Sequence, residues 1–446
     1  MAAEQGPMSG FRDMLAEEMI ARNGMIGTIQ GVYESYGFVP LKTPALERLS
    51  TLTGKYGDEG ESLMYKFKDN GGRDVAMRYD QTVPLARVVA QYGSRLPMPY
   101  KRYAVGEVWR GESPQAGRYR EFTQFDADIV GTTSSIADAE VIGMMSDTMT
   151  ALGAESVIRV NNRSLLDALA EKAGYTERAD AMKIISTIDK VDKIGKNAVV
   201  AEISEGFGET TGQLVSDYLS VDGAPLDKLA KIRELLGGSD STTIGADNLT
   251  EIFSMLQSSG YTEDQVVFDQ SIARGLSYYT GVIYETTLKG AEELGSVCSG
   301  GRFDNLVESL GGPSLPAVGT SIGVDRLLEG LKKLGRVKEF KTTTEVLVTN
   351  FDSNDAPNYV RVARELRQAG IASEVYYEDV KLKKQLSFAN RMNIPYVVLI
   401  GPDEAEKGVA VLKTLASGQQ LEIAIDELPT YIAQLKANAL KTNLTD

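Results

Sequence analysis

The chain's 446 residues carry 62 acidic against 47 basic side chains, a formal net charge of −15, which argues against a protein that coats nucleic acid non-specifically but leaves room for a local basic patch. Hydrophobic content of 42% and charged content of 24% are ordinary for a globular chain, long enough here for two or three domains with substantial cores. A single cysteine, Cys298, excludes an intrachain disulfide and a Cys-rich zinc site, and the absence of any histidine excludes Ser-His-Asp triads, histidine general bases and histidine metal sites.

No run of about 18 apolar residues and no charged-then-apolar start is found, so neither a membrane span nor a signal peptide is expected. The lone cysteine fits a reducing, cytoplasmic setting. Met19 to Tyr36 reads as a helix weakened by Gly24, Gly27 and Gly31, each costing about 1 kcal/mol against alanine, and ending near Gly37. A short strand, Phe38 to Leu41, follows. In DVAMRYDQTVPLARVV, Asp74 to Val89, Val75 to Arg78 is strand-like and Pro84 fits the first turn of a helix. Asp80 and Thr82 then lie at a strand-to-helix junction, where they could cap the helix or reach a ligand.

Gly106 to Gly131 reads as two strands joined by a long polar loop. In the second, Tyr119 to Val130, Thr123, Phe125, Ala127 and Ile129 alternate with Arg120, Gln124, Asp126 and Asp128. The loop carries Arg110, Glu112, Gln115, Arg118 and Arg120 around Pro114 and Gly117. So many guanidinium groups suit an anionic ligand, because their planar forks make bidentate, charge-assisted bonds with phosphate. A solvated sheet face would show the same residues.

A helix from Ile136 to Leu152 and a strand from Ser156 to Asn161 lead into residues 165–260, which are helix-rich, acidic and free of chemical motifs. Chemistry returns at Arg274 with RGLSYYTGVIYE, where strand alternation puts only one of Tyr278 and Tyr279 in a pocket. Gly300 and Gly301, in SGGRFDNLVESLGG, permit close backbone approach. AVGTSIGVDRLLEGL, Ala317 to Leu331, is a strand, a glycine turn and a helix opening near Val324. Arg326 sits in that first turn, where the helix N-terminus already favours anions. Leu331 to Lys341 reads as a basic linker. Beyond it, strands at 345–350, 371–376 and 396–400 alternate with helices at 358–368 and 381–392, implying a mostly parallel sheet with helices on its faces. Lys381, Lys383, Lys384 and Arg391 could meet an RNA backbone or form a solvated helix face. No Walker-type loop and no complete Gly-x-Gly-x-x-Gly occurs.

Motif by motif, the chain resembles the histidyl-tRNA synthetases of class II. The helix, Gly-Phe-Val, strand and proline near the start are similar to the class's first motif, which builds a dimer interface. Arg-x-Glu before the loop and Arg-Glu-Phe after it, with GRYREFTQFD, resemble the second, and AVGTSIGVDRLLEGL resembles the third. RYDQTVPLAR, RGLSYYTGVIYE and Gly-Gly-Arg-Phe-Asp are similar to signatures of the family itself, and KLKKQLSFANRMNIPYVVLIG to its anticodon-binding domain. The resemblance implies an α+β catalytic domain, an antiparallel sheet flanked by helices, over residues 1–332 with a helical insertion at about 165–260. It also implies a C-terminal α/β anticodon-binding-like domain over 343–446. The implied reaction joins ATP and histidine into histidyl-adenylate and transfers histidine to tRNA(His), with Mg2+ as the ATP counter-ion, in a homodimer that needs no membrane. That chemistry requires no histidine side chain, since the amino acid's own carboxylate is the nucleophile.

Carried over residue by residue, the resemblance implies Arg110 at the α-phosphate, Glu112 at the adenine side, and Arg118 and Arg326 at the outer phosphates. Arg274 would stabilise charge where histidine meets the α-phosphate. Asp80, Thr82 and Gln124 would hold the amino group, Asp128 with Tyr278 or Tyr279 would read the imidazole, and Gln115, Lys381 and Lys384 would meet tRNA. Three positions depart from the family's usual pattern: Ser277 stands where Asp is usual, Asp325 where Glu is usual, and Thr123 where bacterial relatives often have His. A non-catalytic relative, the regulatory subunit of ATP phosphoribosyltransferase, is the alternative. Ser277 keeps it open, while residues 343–430 argue against it.

A histidine-free enzyme of this kind never waits on its own product, because histidine starvation cannot stall its synthesis at a histidine codon. The trait is then private to this chain. Other long proteins from the same source are expected to contain histidine at ordinary frequency. If they too lack it, a genome-wide bias is the cause and the starvation argument fails.

Overall fold

The computed structural model describes residues 6–115, 117–273, 278–337 and 340–442. The chain divides into two compact units, Met1–Asp13 with Gly24–Val337, and Met14–Asn23 with Lys338–Asp446. Of the helix Ala16–Ser35, residues 24–35 belong to the first unit and lead to short strands β1 (Val39–Pro40), β2 (Leu46–Arg48), β3 (Lys66–Lys68) and β4 (Asp74–Met77). The long hairpin β5 (Tyr100–Trp109) and β6 (Glu121–Val130) follows, then β7 (Ser156–Asn162), β8 (Val266–Phe268), β9 (Val282–Leu288), β10 (Cys298–Arg302) and β11 (Ala317–Gly323).

Eight of these strands form one sheet in the order β1-β5-β6-β11-β10-β9-β7-β8. It is antiparallel through its middle and parallel only at the edges, where β1 meets β5 and β8 meets β7. β2, β4 and β3 make a small antiparallel sheet of their own. Between β7 and β8 the chain is helical from Arg163 to Ser258, and Asn162 and Ser239 cap the first and last of these helices through their side chains.

The β6 alternation read from the sequence is realised. Phe125 packs 5.0 Å from the Tyr33 ring and 5.6 Å from the Tyr103 ring, centroid to centroid, while Gln124 and Asp126 face the other way into a cavity. Burying a side chain such as Phe125 or Ile129 stabilises by about 1.5–3 kcal/mol, and a slip of one residue would bury the carboxylates on the aromatic side instead. At mid-sheet, Gly300 lies opposite Thr320 and Tyr284, and a Cβ there would collide with the Gly319 carbonyl oxygen and the Tyr284 ring. Close approach of three strands therefore demands glycine.

The second unit holds β12 (Val346–Val348), β13 (Ser373–Val375), β14 (Tyr396–Leu399), β15 (Val409–Thr414) and β16 (Gln420–Ala424), in the order β13-β12-β14-β15-β16. The first three are parallel and joined through the helices Ala356–Gln368 and Leu382–Arg391. The last two are an antiparallel hairpin that the sequence reading did not reach. Among the described residues, no helix is long and apolar enough to cross a membrane.

Candidate active site

One face of the central strands opens onto a cavity of about 480 Å3. Its cationic end is built by three guanidinium groups. Arg110 lies over the Tyr79 and Phe122 rings, 4.4 and 5.2 Å from their centroids, and its Nε donates to the Tyr79 carbonyl at 3.1 Å. Arg118 stands in a tight turn where its backbone exchanges hydrogen bonds with Gln115 at 2.9 and 3.0 Å, a turn that needs Gly117 at φ 69°. Its guanidinium is 3.5 Å from Glu112. Arg326 opens the helix Val324–Lys333 and donates to the Ser296 carbonyl at 2.7 Å. Burial pushes the Arg326 pKa below its ordinary value, and Arg118 and Arg110 push it further, against Glu112 and Glu285. Cations that disfavour one another's charge are relieved by a bound polyanion.

The opposite end is acidic. Asp80 accepts from the Tyr56 hydroxyl at 2.8 Å, the Val83 N–H at 3.0 Å and the Tyr278 hydroxyl at 3.4 Å. It therefore caps the helix Thr82–Tyr92 and faces the cavity at once. Asp126, only 1% exposed, borders the cavity beside Ser321. Asp128 lies deeper, 2.7 Å from the fully buried Arg102 guanidinium. Burial pushes the Asp126 carboxyl up to about 6 and that of Asp128 up to about 7. Arg102 opposes both shifts, and nearby Asp80 adds to them.

The structure brings Asp80, Thr82, Arg110, Glu112, Arg118, Gln124, Tyr278, Tyr279 and Arg326 around this one cavity. Both tyrosines line it, contrary to the alternation argument. β9 begins only at Val282, so the pair precedes the strand, in a turn with their ring centroids 5.2 Å apart, and strand period does not sort them. Asp128 sits beneath the cavity wall with Arg102. Arg274 and Ser277 lie outside the described residues. Gln115 is exposed in the loop, and Lys381 and Lys384 are exposed at the start of the Leu382–Arg391 helix in the second unit. Two contributors escaped the sequence reading. Asp126 was on the polar face of its strand but had no role, and Arg102 was not noticed. The local signal for Arg102 was weak, a second basic residue beside Lys101 in the strand Tyr100–Trp109. Asp325 accepts from Arg12 at 2.8 Å and from the Thr123 backbone N–H at 2.8 Å, tying the N-terminal segment to β6.

An antiparallel sheet with a cationic and an acidic pole in one cavity, followed by a separate α/β unit, is the architecture of the class II aminoacyl-tRNA synthetases. A model of the histidyl-tRNA synthetase family matches residues 10–327, and a model of the anticodon-binding domain matches residues 345–435. The histidine–tRNA ligase of Rhodopirellula baltica is 42% identical over 420 residues, 94% of this chain and 95% of that protein. That of Wolinella succinogenes is 42% identical over 419 residues, 93% of this chain and 94% of its own. The crystal structure of histidyl-tRNA synthetase from Nostoc sp. PCC 7120 matches with a TM-score of 0.88 at 35% identity, covering 97% of this chain and 99% of that one. The chain belongs to the histidyl-tRNA synthetase family.

The raised carboxyls make a pH prediction. An unfolded Asp titrates near about 3.9. With folded values raised by burial, the folded protein holds more protons than the unfolded chain from that pH up to about 7, so this contribution to stability falls as pH rises through the window and levels off above it. The Tm of ligand-free protein is expected to lose more between pH 5.5 and 7.5 than that of Asp126→Asn. Equal slopes would mean that Asp126 is ionised throughout.

Proposed function

We propose that this chain activates histidine with ATP and transfers it to tRNA(His). The observation that carries the reading is the polarity of the cavity. Arg110, Arg118 and Arg326 offer a polyphosphate its counter-charge at one end, and Asp80, Gln124 and Asp126 offer acceptors to a cationic amino acid at the other. ATP use comes with the family. Arg110 meets the α-phosphate, Arg118 and Arg326 the outer phosphates, and Glu112 the adenine side. Asp80, Thr82 and Gln124 hold the amino group, and Asp128 with Tyr278 or Tyr279 reads the imidazole. A carboxylate oxygen of histidine attacks the α-phosphorus as pyrophosphate leaves, so positioning and charge stabilisation suffice and no side-chain base is needed. Arg274, carried by its motif, stabilises the charge that develops.

Mg2+ supplies counter-charge to the phosphates when bound with ATP. Among the described residues no cluster of three or more metal-ligating side chains exists. Glu112 and Glu285 are the cavity carboxylates that would meet its water shell. Residues 1–332 are the catalytic domain, with the insertion at about 165–260, and 343–446 read the anticodon, with Lys381 and Lys384 on the RNA backbone and Gln115 meeting tRNA from the catalytic loop. The protein works as a cytoplasmic homodimer. The regulatory-subunit alternative is weaker because such relatives typically lack the second domain, which is matched here over residues 345–435.

ATP–pyrophosphate exchange assayed with each amino acid in turn is expected to respond to histidine alone, and exchange driven by another amino acid would overturn the assignment. Arg274→Ala is expected to cost about 2.7–4 kcal/mol of transition-state stabilisation, the usual loss for one preorganised donor. An unchanged exchange rate would remove Arg274 from the chemistry. Lys381→Ala with Lys384→Ala is expected to leave exchange intact and raise the KM for tRNA, lowering the slope of log affinity against log salt by about one for each phosphate no longer neutralised. Unaltered tRNA kinetics would place the RNA elsewhere.

A further inference from the structure

We propose that Asn248 is a positioning residue for the tyrosine turn of the cavity, acting from the helical insertion through a buried relay of Asp138, Arg302, Asp304 and Thr280. The inference rests on the reading above that Tyr278 or Tyr279 meets the substrate's ring. The two tyrosines precede β9, whose pairing with β7 begins at Val282, so the sheet's ladder does not fix them. Two backbone hydrogen bonds hold the turn behind them. The Thr280 N–H donates to the Arg302 carbonyl at 2.8 Å, and the Arg163 N–H donates to the Gly281 carbonyl at 2.8 Å. Arg163 opens the helix Arg163–Lys172, where the insertion begins. The Thr280 hydroxyl donates to Asp304 at 2.9 Å and accepts from the Asp304 N–H at 3.1 Å. The Tyr279 ring lies against β10, where a Cβ at Gly301 would stand 3.0 Å from it, and the Tyr278 ring packs edge-on against Phe303. Residues 301–304 are thus the seat of the turn.

That seat is held from the insertion. Arg302 is 7% exposed, and Asp138, on the helix Ser135–Ala151, has no exposure at all. The guanidinium donates to Asp138 Oδ1 from Nη2 at 2.8 Å and from Nε at 3.1 Å, while its Nη1 lies 3.4 Å from Asp304. The other Asp138 oxygen accepts from the Asn248 amide at 3.3 Å. Asn248 stands on the helix Asp240–Ser258, donates also to the Ser135 hydroxyl at 3.1 Å, and accepts from the Asn162 amide at 2.8 Å. Glycines let these helices come close. One turn before Asn248, a Cβ at Gly245 would crowd Leu165 at 2.9 Å, and on the helix Ser135–Ala151 a Cβ at Gly143 would meet the Tyr261 hydroxyl at 2.7 Å. Burial pushes the Asp138 carboxyl up, whereas the Arg302 charge and the hydrogen bonds from Arg302 and Asn248 pull it down. Losing the Asn248 donor moves Asp138 toward its neutral form and slackens its grip on Arg302, because a buried pair holds only while both charges persist and their remaining hydrogen bonds are met. The insertion, which carries no motif of its own, thereby helps to shape the amino-acid end of the cavity.

ATP–pyrophosphate exchange tests this on the full chain, since that reaction contains no tRNA and an effect reached from the insertion is an effect on activation. Asn248→Ala is expected to raise the KM for histidine by about three- to tenfold, the range of one lost hydrogen bond, and to leave the KM for ATP within about twofold. Thr280→Val is expected to do the same, and Thr280→Ser, which keeps the hydroxyl, to restore the wild-type value. The double variant, Asn248→Ala with Thr280→Val, is expected to lose no more than the worse single variant, because effects within one network are not additive. A purely structural role would lower the Tm and leave the KM for histidine unchanged, and that result overturns the inference. An equal rise in the KM for ATP, or losses that multiply in the double variant, overturn it as well. Where Thr280→Val fails to fold, the KM values of Asn248→Ala decide alone. Absence of histidine-dependent exchange in the wild-type protein overturns instead the function on which the inference rests.

Discussion

Arg102 and Asp128 meet at 2.7 Å between adjacent strands, both essentially without solvent contact, and the geometry of the site depends on them. Removing two charges from water costs several kcal/mol per ion, and their attraction offsets that only in good geometry. Such a pair is a poor source of net stability but a strict judge of register, because misalignment leaves two unbalanced charges in the core. The antiparallel register sets Arg102 directly opposite Asp128, and β11 places Gly319 on the other side. A Cβ at position 319 would collide with the Asp128 carboxylate, so glycine there is a condition for the pair. Arg102 also donates to the Gln81 carbonyl at 3.1 Å, and the Gln81 side chain donates to the Gln124 carbonyl at 2.8 Å. The junction carrying Asp80 and Thr82 is thereby tied to the same strands that carry Gln124 and Asp126.

From that anchor the cavity's two poles follow. Strand period carries Gln124 and Phe122 outward from Asp126 on the same face, and the chain then reaches the loop where the guanidinium groups gather. Arg110 is steadied by aromatic rings and a carbonyl, and Arg326 by a carbonyl, so neither needs a carboxylate to hold its place. That leaves their charge available to a ligand. In a partly enclosed site such charges act at a lower effective dielectric than at the surface, and ionic attraction there is correspondingly greater.

The parts of this arrangement that were legible in the sequence are those set by local periodicity. Alternation along β6 separated Phe125 from Gln124 and Asp126, and proline after a strand located the Asp80–Thr82 junction. Arg102 was not legible because its role depends on which residue faces it across the hairpin, and register is a property of two strands. The tyrosines were misjudged because the boundary of β9 decides whether alternation applies at all, and Gly281, the breaker directly before Val282, was not used to set it. In the second unit the parallel strands were readable from their alternation with helices. The β15–β16 hairpin went unread, although Val409–Thr414 and Gln420–Ala424 flank a Ser-Gly turn with Gly418 at φ 72°. The segment between β7 and β8 was legible as helix-rich and acidic but carries no chemistry that composition could reveal.

The absence of histidine looks less demanding once the site is seen from the backbone. At position 123, one of the three positions that the resemblance singled out, the structure uses the main-chain N–H, which donates to Asp325 at 2.8 Å. Any residue except proline supplies that donor. The Thr123 side chain is buried on the face of β6 turned away from the cavity, so its identity is free of the ligand. Proton exchange near neutral pH, elsewhere the province of imidazole, is available here from Asp126 and Asp128, whose burial brings their carboxyls to about 6 and about 7. A chain can therefore discard imidazole from its own composition and still present groups that titrate where imidazole does, provided that it buries carboxylates beside a single, strictly placed guanidinium.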